Sequence, residues 1–88
     1  MTNKKHLATI TILVKDRQTH AKNVNKILTE NGYLIMARLG VNVQHSCVKN
    51  CTGMITVVAE GTAKQINDLT KKLDKLYGIV AKANIMTE

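Results

Sequence analysis

The feature of this chain that most restricts its fold is a repeated order of patterns. Thr11-Ile12-Leu13-Val14 leads into a polar, amphipathic stretch ending at Asn31-Gly32, followed by the apolar run Tyr33-Leu34-Ile35-Met36-Ala37. Ile55-Thr56-Val57-Val58 leads into a second amphipathic stretch ending at Tyr77-Gly78, followed by Ile79-Val80-Ala81. Each half reads strand, helix, strand, because apolar residues first alternate and then recur at helical spacing. Two such units in 88 residues predict an α+β, βαββαβ ferredoxin-like sandwich, a four-stranded antiparallel sheet with two helices on one face. The other sheet face is left bare.

The local signals agree with this order. Leu7 to Val14 alternates, with Ala8, Ile10, Ile12 and Val14 toward one face and Leu7, Thr9, Thr11 and Leu13 toward the other. Asp16 is placed to cap the first helix, its carboxylate accepting from first-turn amides. Ala21, Val24, Ile27 and Leu28 give that helix a buried stripe. Asn31-Gly32 is expected to close it in a left-handed conformation. The second strand spans Tyr33 to Gly40, with Tyr33, Ile35, Ala37 and Leu39 on one face. Thr62 and Gln65 form a capping box. Ile66, Leu69, Leu73 and Leu76 then mark one helix face, Gly78 sits at its C-terminal cap, and strands Met54 to Glu60 and Ile79 to Met86 flank it. The chain reads as one domain over 1–88, with a flexible N-terminus at 1–6 and a long central hairpin at 41–53.

The bare face collects Leu13, Leu34, Met36, Met54, Val58, Val80 and Met86, mixed with Thr9, Thr11, Thr56, Arg38, Lys82 and Asn84. So many apolar side chains on an uncovered face exceed what monomers expose, so a second copy of the chain is expected to cover it. The expected state is a homo-oligomer, a dimer or a tetramer built as a dimer of dimers.

A net charge of +7 raises the question of nucleic acid. The lysines are dispersed, and RNA-binding sheets of this topology stack bases on strand aromatics. The aromatic residues here are Tyr33 and Tyr77, so nucleic-acid contact would be electrostatic only. No apolar run reaches the length of a membrane span. After Met-Thr-Asn-Lys-Lys-His the chain alternates as a strand rather than as a secretory segment, and a cytoplasmic location is expected.

The segment that breaks the pattern is the central hairpin. His45, Cys47 and Cys51 place three soft ligands within seven residues, a donor set suited to zinc, iron or nickel. A closed site would need a fourth ligand, from a second subunit or from His6 or His20. Two other readings stand beside it: reduced thiols on a polar hairpin tip, and a reversible disulfide, since residues four apart can bridge across a tight turn. Catalytic arrangements are not expected. No glycine-rich phosphate loop follows the first strand, where the turn reads Lys15-Asp16-Arg17-Gln18-Thr19, and the acidic residues form no paired-carboxylate site.

The run NKILTENGYLIMARLGV (Asn25 to Val41) with EGTAKQINDLTKKLDKLYGIVAKA (Glu60 to Ala83) resembles the small stand-alone ACT-like proteins of the iron-only hydrogenase system regulator family. The Leu-Thr-Glu-x-Gly pattern, the Ala-Arg-x-Gly close of the second strand and Glu-Gly-Thr before the second helix carry the likeness. The resemblance implies an ACT-like fold, oligomerisation through the sheet, and a ligand-sensing regulatory role, transcriptional or otherwise, in a bacterium. It is also similar to the metal-sensing domain of nickel-responsive regulators, which implies a role for His45 and Cys47. Amino-acid-binding ACT domains carry a glycine-bearing turn after the first strand, and Asp16 to His20 departs from that. Expected ligand neighbours are Arg38, Gly40 and Gly32, since glycine allows close backbone approach and arginine offers a carboxylate-matching fork. An interface or surface salt bridge for Arg38 and a helix cap for Gly32 are the alternatives.

Overall fold

Lys5 pairs with Thr62 and Val14 with Gly53, so the first strand of one half-repeat lies antiparallel along the first strand of the other. The computed structural model describes residues 4–43, 48, 49 and 51–87. Its elements are β1 (Lys5–Val14), α1 (Arg17–Glu30), a 3₁₀ turn (Gly32–Leu34), β2 (Ile35–Asn42), β3 (Gly53–Thr62), α2 (Ala63–Asp74) and β4 (Ile79–Ile85). The strands order β2-β3-β1-β4, and every neighbouring pair is antiparallel. This is the expected ferredoxin-like sheet.

Alternation in β1 sends Ala8, Ile10, Ile12 and Val14 into a core completed by Val57, Val24 and Leu28 of α1, and Ile66, Leu69 and Leu73 of α2. Burying each such aliphatic side chain contributes about 1.5–3 kcal/mol relative to exposure. Helix α2 starts as its sequence predicts: the Thr62 hydroxyl accepts from the Gln65 amide at 3.1 Å, and the Gln65 carboxamide accepts from the Thr62 amide at 2.9 Å. After α2 the chain reverses at Gly78, whose φ of 77° is in the left-handed region that suits glycine.

Several expectations are corrected. β1 begins at Lys5, so Lys5 and His6 belong to the ladder rather than to a flexible terminus; His6 Nδ1 lies 2.7 Å from the Thr87 carbonyl oxygen. Asp16 sits before α1, but its side chain caps no amide; the carboxylate accepts instead from the Thr19 hydroxyl at 2.9 Å. The residue itself takes φ 48°, and its carbonyl accepts from the amides of Thr19 and His20. The end of α1 is not left-handed: Asn31 has φ −113° and donates from Nδ2 to the Ile27 carbonyl at 2.8 Å. Gly32 simply opens the 3₁₀ turn.

The largest correction concerns β2. Ile35 pairs with Ala59 but Ala37 pairs with Val58, so Met36 is an extra residue at a bulge. A bulge shifts alternation by one. Beyond it Ala37, Leu39 and Val41 join Val58, Thr56 and Met54 on the bare face, while Arg38, Gly40 and Asn42 join Val57, Ile55 and Gly53 on the helix side. Arg38 therefore leaves the bare face, and Leu34 leaves it too, buried in the core. The revised bare face still carries Leu39, Val41, Met54, Val58 and Val80 as exposed apolar residues, around a centre in which Thr11 pairs with Thr56. Among the described residues no helix is long and apolar enough to cross a membrane.

Candidate functional site

Because α1 packs on β1 and α2, the helix side of β2 is left without a cover, and every residue from Met36 to Asn42 is exposed. A groove results between α1 and β2. On the helix wall Arg17, Ala21 and Asn25 follow at successive turns, four residues apart, on one face; on the strand floor Arg38, Gly40 and Asn42 follow at alternate positions. At one end the groove is bridged: Arg38 Nη2 donates to Asn25 Oδ1 at 2.6 Å. In the middle Gly40 presents no side chain, and among the described residues a Cβ there would have only Ile55 Cγ1 within 4 Å, at 3.8 Å. The other end opens into a cleft of about 120 Å³ whose lining includes Val14, Arg17, Ala21, Gly40, Asn42 and Ile55.

Arg17 owes its position to a neighbouring glycine. Its side chain lies across Gly53, where a Cβ would come within 3.1 Å of the arginine Cδ. The Nε nitrogen is buried there without a hydrogen-bond partner among the described residues. Beside it, the Arg17 amide donates to the Cys51 carbonyl at 2.7 Å, and Gln18 Nε2 lies 3.4 Å from Cys51 Sγ, to which it donates. Cys51 is fully buried and disulfide-bonded. The chain's other cysteine, Cys47, lies with His45 outside the described residues. Among the described residues no three His, Cys, Asp or Glu side chains gather as metal ligands.

The expected site residues thus divide. Arg38 and Gly40 meet in one groove, on the helix side of β2 rather than on the bare face. Gly32 stands apart, beyond the far end of α1. Cys51 anchors the base of the hairpin to the first turn of α1, next to the groove. Sequence patterning missed Arg17, Ala21, Asn42 and Gly53, and the one signal that could have found the last is a glycine at the start of a strand, which marks a close approach.

Two other features frame the molecule. At the end of the sheet Lys15, Asp16, His20, Tyr77 and Gly78 surround a second, wider depression, with the His20 and Tyr77 rings edge to face at 5.5 Å. On α2, Lys64 Nζ donates to Asp68 Oδ2 at 2.8 Å. That hydrogen bond raises the Lys64 pKa and lowers that of Asp68, with Lys71 and Lys72 adding to the latter.

Known proteins extend this description. The pattern of the TM1266-like family, described as "Iron-only hydrogenase system regulator, putative", matches residues 6–83. The solved structure of TM1266 from Thermotoga maritima, an uncharacterized protein, is similar over 96% of this chain and 100% of its own, with 25% identity and a TM-score of 0.84. The ACT domain of GTP pyrophosphokinase from Chlorobium tepidum matches 91% of this chain and 86% of its own at 15% identity and a TM-score of 0.65. CPII, a nitrogen regulatory PII-like protein from Thiomonas intermedia K12 solved with ADP, AMP and bicarbonate, matches 100% of this chain and 99% of its own at 11% identity and a TM-score of 0.57. At those identities the last two show the fold alone. Among curated proteins none matches the sequence significantly. With the family pattern running through nearly all of β1 to β4, the chain belongs to the TM1266-like family of regulators.

Proposed function

We propose that this protein is a non-enzymatic, ligand-responsive regulatory module that works as a homo-oligomer joined through its bare sheet face. The observation that carries this reading is that face itself. Leu39, at 62% exposure, and Val41, at 47%, extend an apolar surface formed by Met54, Val58 and Val80, and no element of the chain among the described residues covers it. A second copy, as a dimer or within a tetramer, covers such a face at the least cost in exposed apolar area. Family membership supports the regulatory role, and the nucleotide-bound PII-like relative offers an analogy for the same fold as a ligand receptor. Arg38 and Gly40 are the expected ligand neighbours in the α1–β2 groove; Gly32 has no such neighbourhood. Any transcriptional action would pass through a partner or through the lysines of the helix layer, because both helices lie flat on the sheet and neither is presented as a groove-reading element.

The test is mass in solution. The wild-type chain is expected at a multiple of the single-chain mass. Leu39→Lys should shift the mass toward the monomer while changing monomer stability by no more than about 0.5 kcal/mol, as exposed surface substitutions do. A wild-type chain that stays monomeric at high concentration would overturn the reading.

A second reading has its own observation. The disulfide-bonded Cys51 packs on the first turn of α1, which favours a redox-responsive hairpin over a metal-responsive one. Metal analysis for zinc, iron and nickel on anaerobically purified protein, with the Cys51→Ser variant, separates the two.

A further inference from the structure

We propose that the α1–β2 groove is a binding site for a small aliphatic carboxylate that bears no ammonium group, with Arg17 holding its charge. This rests on the reading of the chain as a ligand-responsive module and adds the ligand's chemical class and its place.

Arg17 Nε is buried with no acceptor, and no hydrogen bond or ion pair of its guanidinium occurs among the described residues. A buried donor without a partner costs stability, and in native structures it calls for an explanation. An incoming carboxylate supplies one, since two of its oxygens match adjacent N–H groups of a guanidinium. Arg17 lines the cleft, and a carboxylate bound there would give the orphaned donor its acceptor once the side-chain torsions turn it toward the ligand. The helix terminus is not the anchor. The Arg17 amide is already bonded to Cys51, and those of Thr19 and His20 are bonded to the Asp16 carbonyl. Nor is Arg38, which Asn25 holds at the far end of the groove.

The lining sets the rest of the ligand. Val14, Ala21 and Ile55 make the walls apolar, and among the described residues no Asp or Glu lines the cleft. An ammonium entering there would lose water and find no countercharge. At about 120 Å³ the cleft is somewhat smaller than a cavity of roughly 150 Å³ that takes benzene, so it suits a body of about six non-hydrogen atoms. A short branched carboxylate fits these limits, and an α-amino acid does not.

The test titrates the full-length protein with 2-methylpropanoate and follows, by heteronuclear NMR, the Nε–Hε resonance of Arg17 and the backbone amides of Ala21 and Ile55, which line the same cleft and remain as reporters in the variants. A saturable shift is expected, with a dissociation constant on the order of 1 mM for a ligand this small. The 2-amino analogue should bind at least about tenfold more weakly. Arg17→Gln should abolish binding with the backbone spectrum preserved. Gly40→Val should also abolish it by filling the groove, where a Cβ is accommodated, and Lys71→Gln should leave it intact. Non-saturating shifts, equal affinity for the amino analogue, or binding that survives Gly40→Val would each overturn the assignment. Solution mass on the same sample separates the two readings: an oligomer that binds no carboxylate overturns this site alone, and a monomer that binds it overturns only the oligomer.

Discussion

A Cβ on Gly78 would stand 2.7 Å from Cδ2 of His20, because the imidazole occupies the space a side chain would need. The ring is held there by its edge-to-face contact with Tyr77, so a residue near the start of α1 dictates glycine at the entry to β4. Gly78→Ala combines this clash with a φ of 77° and should cost about 1–3 kcal/mol in chemical unfolding. His20→Ala in the same background removes the clash and should recover part of that loss. If it recovers none, backbone conformation alone governs the position.

Two other glycines separate a tight position from an open one. A Cβ on Gly61 would meet Leu34 Cδ2 at 2.8 Å and Gln65 Oε1 at 2.9 Å, in the capping box itself, whereas one on Gly32 meets nothing within 4 Å among the described residues. Gly61→Ala should therefore destabilise by about 1–2 kcal/mol, the scale of a lost cap. Gly32→Ala should leave stability unchanged or raise it by up to about 1 kcal/mol, by narrowing the unfolded ensemble. A large loss at Gly32, read from the thermal midpoint, would restore it as the helix cap that the sequence first suggested.

The Arg17 amide reports on Cys51, whose carbonyl it meets at 2.7 Å. Reduction by a dithiol breaks the Cys51 S–S bond, gives two thiols and oxidises the dithiol to its own disulfide. Freed of that bond, the base of the hairpin should loosen on α1. Hydrogen exchange at the Arg17 amide should then accelerate about tenfold or more, while the Gln65 amide, bonded within the α2 cap, keeps its rate. Equal rates before and after reduction would remove the redox reading.

On α2 the pH dependence has a definite sign. The Asp68 pKa is lowered, chiefly by the hydrogen bond from Lys64, so its contribution is present above the ordinary Asp value and lost as pH falls through the lowered one. The Lys64 pKa is raised, so that contribution holds below the ordinary Lys value and is lost as pH rises through the raised one. Both groups are at the surface, where screening keeps such effects small. Asp68→Asn should narrow the stability difference from wild type at acid pH and at high salt; a constant difference across both series would contradict the ion pair.

The sequence was most legible where one residue type has one physical use. The alternation of β1 and the Thr62–Gln65 box each admit a single structural answer, and both were found. β2 was different. From Tyr33 to Val41 apolar side chains occupy both parities, so the pattern carries no phase, and nothing local marks Met36 as the extra residue. Simple alternation consequently puts Arg38 on the bare face, where the register puts it on the helix side. The groove was illegible for a second reason. Arg17, Gly53 and Gly40 are brought together by the antiparallel register and the seating of α1, neither of which leaves a trace in spacing along the chain.

The bulge at Met36 has a further effect: it works as an expansion joint. Downstream of it, Arg38, Gly40 and Asn42 are locked to β3 by their pairing with Val57, Ile55 and Gly53. Upstream, the end of α1 and the 3₁₀ turn are fixed by Asn31 and the buried Leu34. A residue gained or lost between these two anchors is taken up at the joint, without re-aiming the strand beyond it. The groove's floor is thereby insulated from the length of the connection that delivers it.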